Sequence, residues 1–116
     1  MLALNFISPH NEMLLMARQK TATIRPGDIR DTYPENSVVW ITFGAKYGQK
    51  RKLYTAMIDR TVTKRYAELT SAELHHQNPE LKTVDDLIRS FEVIYEKKKI
   101  SPDDQVTIIH FSEVIE

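Results

Sequence analysis

The sequence predicts an α+β fold, and three observations carry that prediction. Strand-like and helix-like segments follow the order β-α-β-β-β-α-α-β. They show no regular βαβ alternation, which argues against a doubly wound parallel sheet. The strands fall in two groups, an arrangement that also suits a small barrel with helices over its openings. A length of 116 residues allows one domain, residues 1–116, with a modest core.

Residues 2–7, LALNFI, are a short apolar run that reads as a strand. Ser8-Pro9 opens a helix, with Ser as N-cap and Pro at the first helical position. That helix is expected to reach about residue 19, with Met13, Leu14, Met16 and Ala17 as its apolar stripe. Residues 21–25, TATIR, are rich in β-branched side chains and place Thr21, Thr23 and Arg25 on one face, Ala22 and Ile24 on the other. Pro26-Gly27-Asp28 ends that strand in a turn, and residues 31–37 form a polar loop around Pro34.

Residues 38–43, VVWITF, carry the strongest buried-strand signal, with Trp40 read as core. Residues 44–52 read as a flexible basic loop, followed by a long strand over residues 53–64. Thr70 and Glu73 have capping-box spacing and open a short helix that must end near Gln77, before Asn78-Pro79. Thr83 caps a third helix running from residue 84 to about residue 96, with Leu87, Ile88, Phe91, Ile94 and Tyr95 on one stripe. The run Glu96-Lys97-Lys98-Lys99 reads as its C-terminal turn, where cations suit the helix dipole. Residues 106–111, VTIIHF, supply the closing strand.

Composition narrows the function classes. Cysteine is absent, which removes disulfides and Cys-based zinc sites and is compatible with a reducing cytoplasm, the expected location. The N-terminus lacks the basic and apolar regions of a signal peptide. No apolar run approaches the roughly 18 residues of a membrane helix. Net charge is zero, yet residues 1–66 carry 11 Lys/Arg against 5 Asp/Glu, and residues 67–116 carry 5 against 11. A basic half can offer an anion-binding face, or the two halves can pack together and cancel. His75 and His76 are adjacent and so point about 100° apart on a helix, unlike an i, i+4 metal pair. No metal and no cofactor is expected.

Two segments hold candidate site residues. The first is KTATIRPGD, residues 20–28. Arg25 can grip a phosphate or a base edge with two parallel hydrogen bonds. Lys20 is a point charge that can act as a base when desolvated, and Thr23 is a donor or a nucleophile. In a straight strand Lys20 and Thr23 face opposite sides, so both meet one ligand only if Lys20 lies in the helix-to-strand loop. The second segment is GAKYGQKRK, residues 44–52, where Lys46, Lys50, Arg51 and Lys52 interleave with Tyr47 and precede Tyr54. Cations for phosphates and rings for stacking suit single-stranded nucleic acid. A solvated hairpin loop would look the same. The spacing of its glycines does not fit a phosphate-binding loop of the Gly-x4-Gly-Lys type.

KTATIRPGD resembles the signature of the ASCH family, in which a helix ends in Lys-x-x-Thr-x-Arg and leads through a turn to a Gly-Asp pair. The resemblance implies a small PUA-like β-barrel over nearly the whole chain. It is nearest to the small bacterial members that hydrolyse N4-acetylcytidine with a Lys, a Thr and a Glu. On that resemblance Lys20 and Thr23 match the first two, and Glu80, in HHQNPE after the long strand, matches the third. Thr23 would attack the acetyl carbonyl, Lys20 would take its proton, and Glu80 would orient or protonate the leaving amine. The implied partner is RNA or a modified nucleoside, with the chain as a monomer. The alternatives are a non-catalytic RNA-binding module using Arg25 and the basic loop, and a metal-independent ribonuclease acting on single-stranded RNA.

Overall fold

The computed structural model describes residues 2–97 and 99–115. Five strands form one mixed sheet: β1 (Ala3–Phe6), β2 (Ala22–Pro26), β3 (Val38–Gly44), β4 (Lys50–Arg65) and β5 (Gln105–Glu113). Their spatial order is β1-β3-β4-β5-β2. The pairs β3–β4, β4–β5 and β5–β2 are antiparallel, while β1 runs parallel to β3. Three helices complete the fold: α1 (Pro9–Met16), α2 (Ser71–Gln77) and α3 (Val84–Ile94). The element order is the one expected, and the sheet curls into a half-barrel whose end strands are β1 and β2. The guanidinium of Arg25 links those two ends, donating from Nη2 to the Asn5 carbonyl at 2.9 Å.

The sheet buries both faces, as its alternation requires. Ile109 and Phe111 join Leu4, Phe6, Val39, Ile41, Ala56 and Ile58 in one cluster, to which α1 adds Leu15. Val106 and Ile108 lie in the other cluster with Ile24, and α2 and α3 close it with Leu74, Leu87, Ile88 and Phe91. Each such large apolar side chain contributes about 1.5–3 kcal/mol of transfer free energy on burial. Both helices begin as expected from their caps: Thr70 Oγ1 accepts from the Glu73 N–H at 3.2 Å, and Thr83 Oγ1 from the Asp86 N–H at 3.1 Å. Asn78-Pro79 ends α2 right after Gln77.

Several local expectations are corrected. α1 stops at Met16, because Arg18 turns the chain through a left-handed conformation at φ 59°. Its guanidinium caps the Leu15 and Met16 carbonyls and pairs with both carboxylate oxygens of Glu113. The buried pair on α1 is Leu14-Leu15, while Met13 and Met16 are exposed. β4 starts at Lys50, so the basic loop shrinks to residues 45–49 and Lys50, Arg51 and Lys52 are strand residues. Trp40, expected in the core, is 39% exposed with Lys52 Nζ 4.9 Å from its ring centroid. α3 ends at Ile94, ahead of the lysine run, and Glu96 has φ 55°. Lys98 lies outside the described residues.

Candidate nucleoside-binding site

A cavity of about 320 Å³ opens where the half-barrel's end strands face each other. Asn5, Phe6 and Ile7 line it from β1 and the following turn, Thr23 and Arg25 from β2, and Phe91, Ile94 and Tyr95 from α3 and its C-cap. Gln77 closes one side, and Lys46 and Lys50 of the β3–β4 hairpin stand on another. The walls are aromatic. The Phe91 and Tyr95 rings meet edge to face at 5.2 Å, and the Arg25 guanidinium lies 5.0 Å from the Phe6 ring centroid. Among the described residues, no ion pair ties Arg25, Lys46 or Lys50 to a carboxylate, and no Asp or Glu lines the cavity.

Local sequence explains these placements. In β2 the alternation sends Thr23 and Arg25 to one face and Ile24 to the other, against the helices. The turn after β2 is held by Thr107, whose hydroxyl donates to the Gly27 carbonyl at 2.7 Å and accepts from the Ile29 N–H at 3.0 Å. Gly27 adopts φ 78°, which a side chain would strain. Asn5 clips β1 to the hairpin, accepting from Thr42 at 2.9 Å and donating to the Gly44 carbonyl at 3.0 Å.

Lys20 lies in the α1–β2 loop, the placement that lets it and Thr23 reach one centre, and it is 1% exposed. The residue that joins them is Gln77. Its Oε1 accepts from the Ile24 N–H at 2.7 Å, the Thr23 hydroxyl at 3.3 Å and Lys20 Nζ at 3.5 Å. Lys20 Nζ also donates to the backbone carbonyls of Gln77 and, at 3.4 Å, of His76. Those carbonyls belong to the last turn of α2, where helical partners run out, so the ammonium caps them. Burial, and then the Arg25 charge, push the Lys20 pKa down to about 7. Thr23 in turn accepts from Arg25 Nε at 3.3 Å, so the chain Arg25–Thr23–Gln77–Lys20 is continuous.

Thr23, Arg25, Lys46 and Lys50 line the cavity, and Lys20, which does not line it, is tied to Thr23 through Gln77. The remaining candidates lie elsewhere. Glu80 is exposed in the α2–α3 turn, where its backbone N–H donates to Asn78 Oδ1 at 2.9 Å, and it does not line the cavity. Gln77, three residues earlier, is the side chain that contacts both Lys20 and Thr23. Arg51 is turned toward α1 by an ion pair with Glu12, and Lys52 covers Trp40. Tyr54 is buried in the first core cluster with the Arg18 guanidinium 4.0 Å from its ring centroid. Tyr47 is 92% exposed at the hairpin tip. Tyr95, expected mainly as packing, is half-buried and forms cavity wall.

Comparison of the fold with solved structures identifies the class. An ASCH domain from Lactobacillus crispatus JV V101 superposes with a TM-score of 0.68 at 10% identity, over 96% of this chain and 77% of that one. Protein EF3133 from Enterococcus faecalis V583, described by the family model DUF984, gives 0.64 at 16% identity over 88% and 68%. The hypothetical protein PH0355 gives 0.64 at 13% identity over 97% and 98%. No protein-family model and no curated protein sequence matches this chain. The chain therefore has an ASCH-type, PUA-like fold.

Proposed function

We propose that this domain binds RNA or a modified nucleoside in the cavity between β1, β2 and α3, and that recognition rather than hydrolysis is its main activity. The observation that carries the reading is the lining. Arg25, Lys46 and Lys50 share the cavity with Phe6, Phe91 and Tyr95, and no carboxylate is among the lining residues. Cations answer phosphates, and the half-buried Tyr95 ring can answer a base, while Phe6 and Phe91 are core side chains that back the wall. The likeness to an ASCH domain agrees with this by fold analogy. The side chain that contacts both Lys20 and Thr23 is the carboxamide of Gln77, which neither takes nor gives a proton near neutral pH.

One observation favours a second reading, hydrolysis of an N4-acetylcytidine-type amide. Lys20, with its pKa near 7, shares the Gln77 oxygen with the Thr23 hydroxyl. In that scheme the Thr23 oxygen adds to the acetyl carbonyl carbon as Lys20 takes the hydroxyl proton, the C–N bond breaks as Lys20 returns that proton to the departing N4, and water then hydrolyses the acetyl–Thr23 ester to acetate.

Two measurements on the purified protein separate the readings. Labelled single-stranded RNA is titrated, and N4-acetylcytidine is incubated and chromatographed for cytidine. Recognition predicts saturable binding, weakened about tenfold by Tyr95→Ala through loss of a stacking wall, with no cytidine formed. Cytidine that appears with wild type and vanishes with Lys20→Ala and Thr23→Ala would replace recognition by hydrolysis. Absence of both binding and turnover would sink both.

A further inference from the structure

The orientation of the Gln77 amide determines what the cavity can read. The Ile24 N–H, 2.7 Å away, requires an acceptor, so Oε1 must point into β2. Thr23 and Lys20 donate to the same oxygen. The amide nitrogen is thereby turned away from β2, and among the described residues it has no acceptor. A side chain that lines the cavity thus presents an N–H donor.

The other polar groups of the lining agree. Thr23 is already engaged by Gln77 and Arg25, and Asn5 by Thr42 and Gly44. Arg25 uses Nε and Nη2 within the protein, and its Nη1 has no acceptor among the described residues. Lys50 bonds the Lys46 and Gly48 carbonyls, which fixes its ammonium beside the hairpin turn. Asn11 and the Tyr95 hydroxyl can donate or accept. The cavity therefore offers cationic and amide donors, with no anionic acceptor among its lining residues.

A neutral nucleoside has no anionic group to answer the two lysines among the lining residues. We infer that the ligand is a nucleoside phosphate, with base acceptors facing Gln77 Nε2 and the phosphate facing Arg25, Lys46 and Lys50. This rests on the nucleoside-binding reading and adds the charge of the ligand to it. A free mononucleotide and a nucleotide within an RNA strand share this chemistry.

The test is calorimetric titration of the full chain with the four ribonucleosides, their 5′-monophosphates, a short single-stranded RNA and inorganic phosphate. A phosphate-bearing ligand is expected to bind at least about tenfold tighter than its neutral nucleoside, as charge-assisted contacts do. Lys46→Ala/Lys50→Ala cuts that advantage severalfold, whereas the control Lys82→Ala, an exposed residue outside the cavity, retains it. A monophosphate advantage identifies a free nucleotide, and an advantage confined to the oligonucleotide identifies a strand. Gln77→Glu turns the donor into an acceptor and weakens the phosphate-bearing ligand by a further tenfold or so, with its melting curve reporting whether the fold survives. Equal affinity for nucleoside and nucleotide overturns the inference while nucleoside binding stands. Inorganic phosphate that competes as well as the nucleotide overturns the base contact. No binding by any nucleoside, nucleotide or oligonucleotide removes the underlying reading instead.

Discussion

Lys20 is a buried amine whose surroundings oppose its charge, and this has a measurable consequence. Its pKa falls from 10.5 to about 7 on folding, chiefly through burial and then through Arg25. Below pH 7 the folded and unfolded chains both hold the proton, and stability sits at its lower level. Between about 7 and 10.5 the unfolded chain keeps the proton that the folded one has released, so raising the pH favours folding. The slope from this group is at most about 1.4 kcal/mol per pH unit. Denaturant titrations of wild type and Lys20→Met across that window should show a difference that moves in favour of wild type as pH rises. A difference independent of pH would mean that Lys20 titrates normally. Lys20, Thr23 and Arg25 were legible in the sequence because they sit within six residues beside a turn. Gln77 was not, because its contacts with Lys20 and Ile24 span 57 and 53 positions. The helix end that presents Gln77 is nonetheless readable from Asn78-Pro79.

At the scale of elements, the hairpin β3–β4 decides which basic side chains reach the cavity. Three consecutive cations at positions 50–52 hide the alternation of a strand, so β4 was expected to start later than it does. The hairpin also carries a register shift between Ile41 and Thr42, which period-2 reading does not reveal. Its tightness depends on Gly44. A Cβ there would come within 2.9 Å of the Lys50 Cα and closer still to the Gln49 carbonyl, both of them backbone and unable to swing aside. Gly44→Ala should therefore force the β3 end away from β4, at a cost of about 1–3 kcal/mol as for other overpacking changes. It should also displace Lys46 and Lys50. The expected pair of results is a lower melting temperature and a weaker phosphate-bearing ligand, with Tyr95, at the end of α3, still able to stack. A melting temperature equal to wild type would show that the turn relaxes freely.

For the whole molecule, the even balance of charge removes long-range attraction to nucleic acid, so binding must come from the few cations that face the ligand. Charge segregation along the chain, +6 in residues 1–66 and −6 in the remainder, suggested a broad basic face. In the fold about half of that excess is met by acids of the second segment: Arg18 with Glu113, Lys64 with Glu73, and Arg65 with Glu68 and Asp103. Arg30–Asp28 and Arg51–Glu12 pair within the first segment and leave its excess unchanged. What remains at the cavity is Arg25, Lys46 and Lys50. Each phosphate contact on a single strand contributes a slope of about −0.7 in log K against log salt. Three cations therefore predict a slope of about −2 for single-stranded RNA, and Lys46→Ala/Lys50→Ala should reduce it to about −0.7. A broad face that also used Arg51 and Lys52 would give about −3.5 and would retain about −2 in the same double variant. Salt titrations of the two proteins thus count the cations that meet the strand. A slope near −3.5 in wild type would show that Arg51 and Lys52 leave Glu12 and Trp40 to join the ligand.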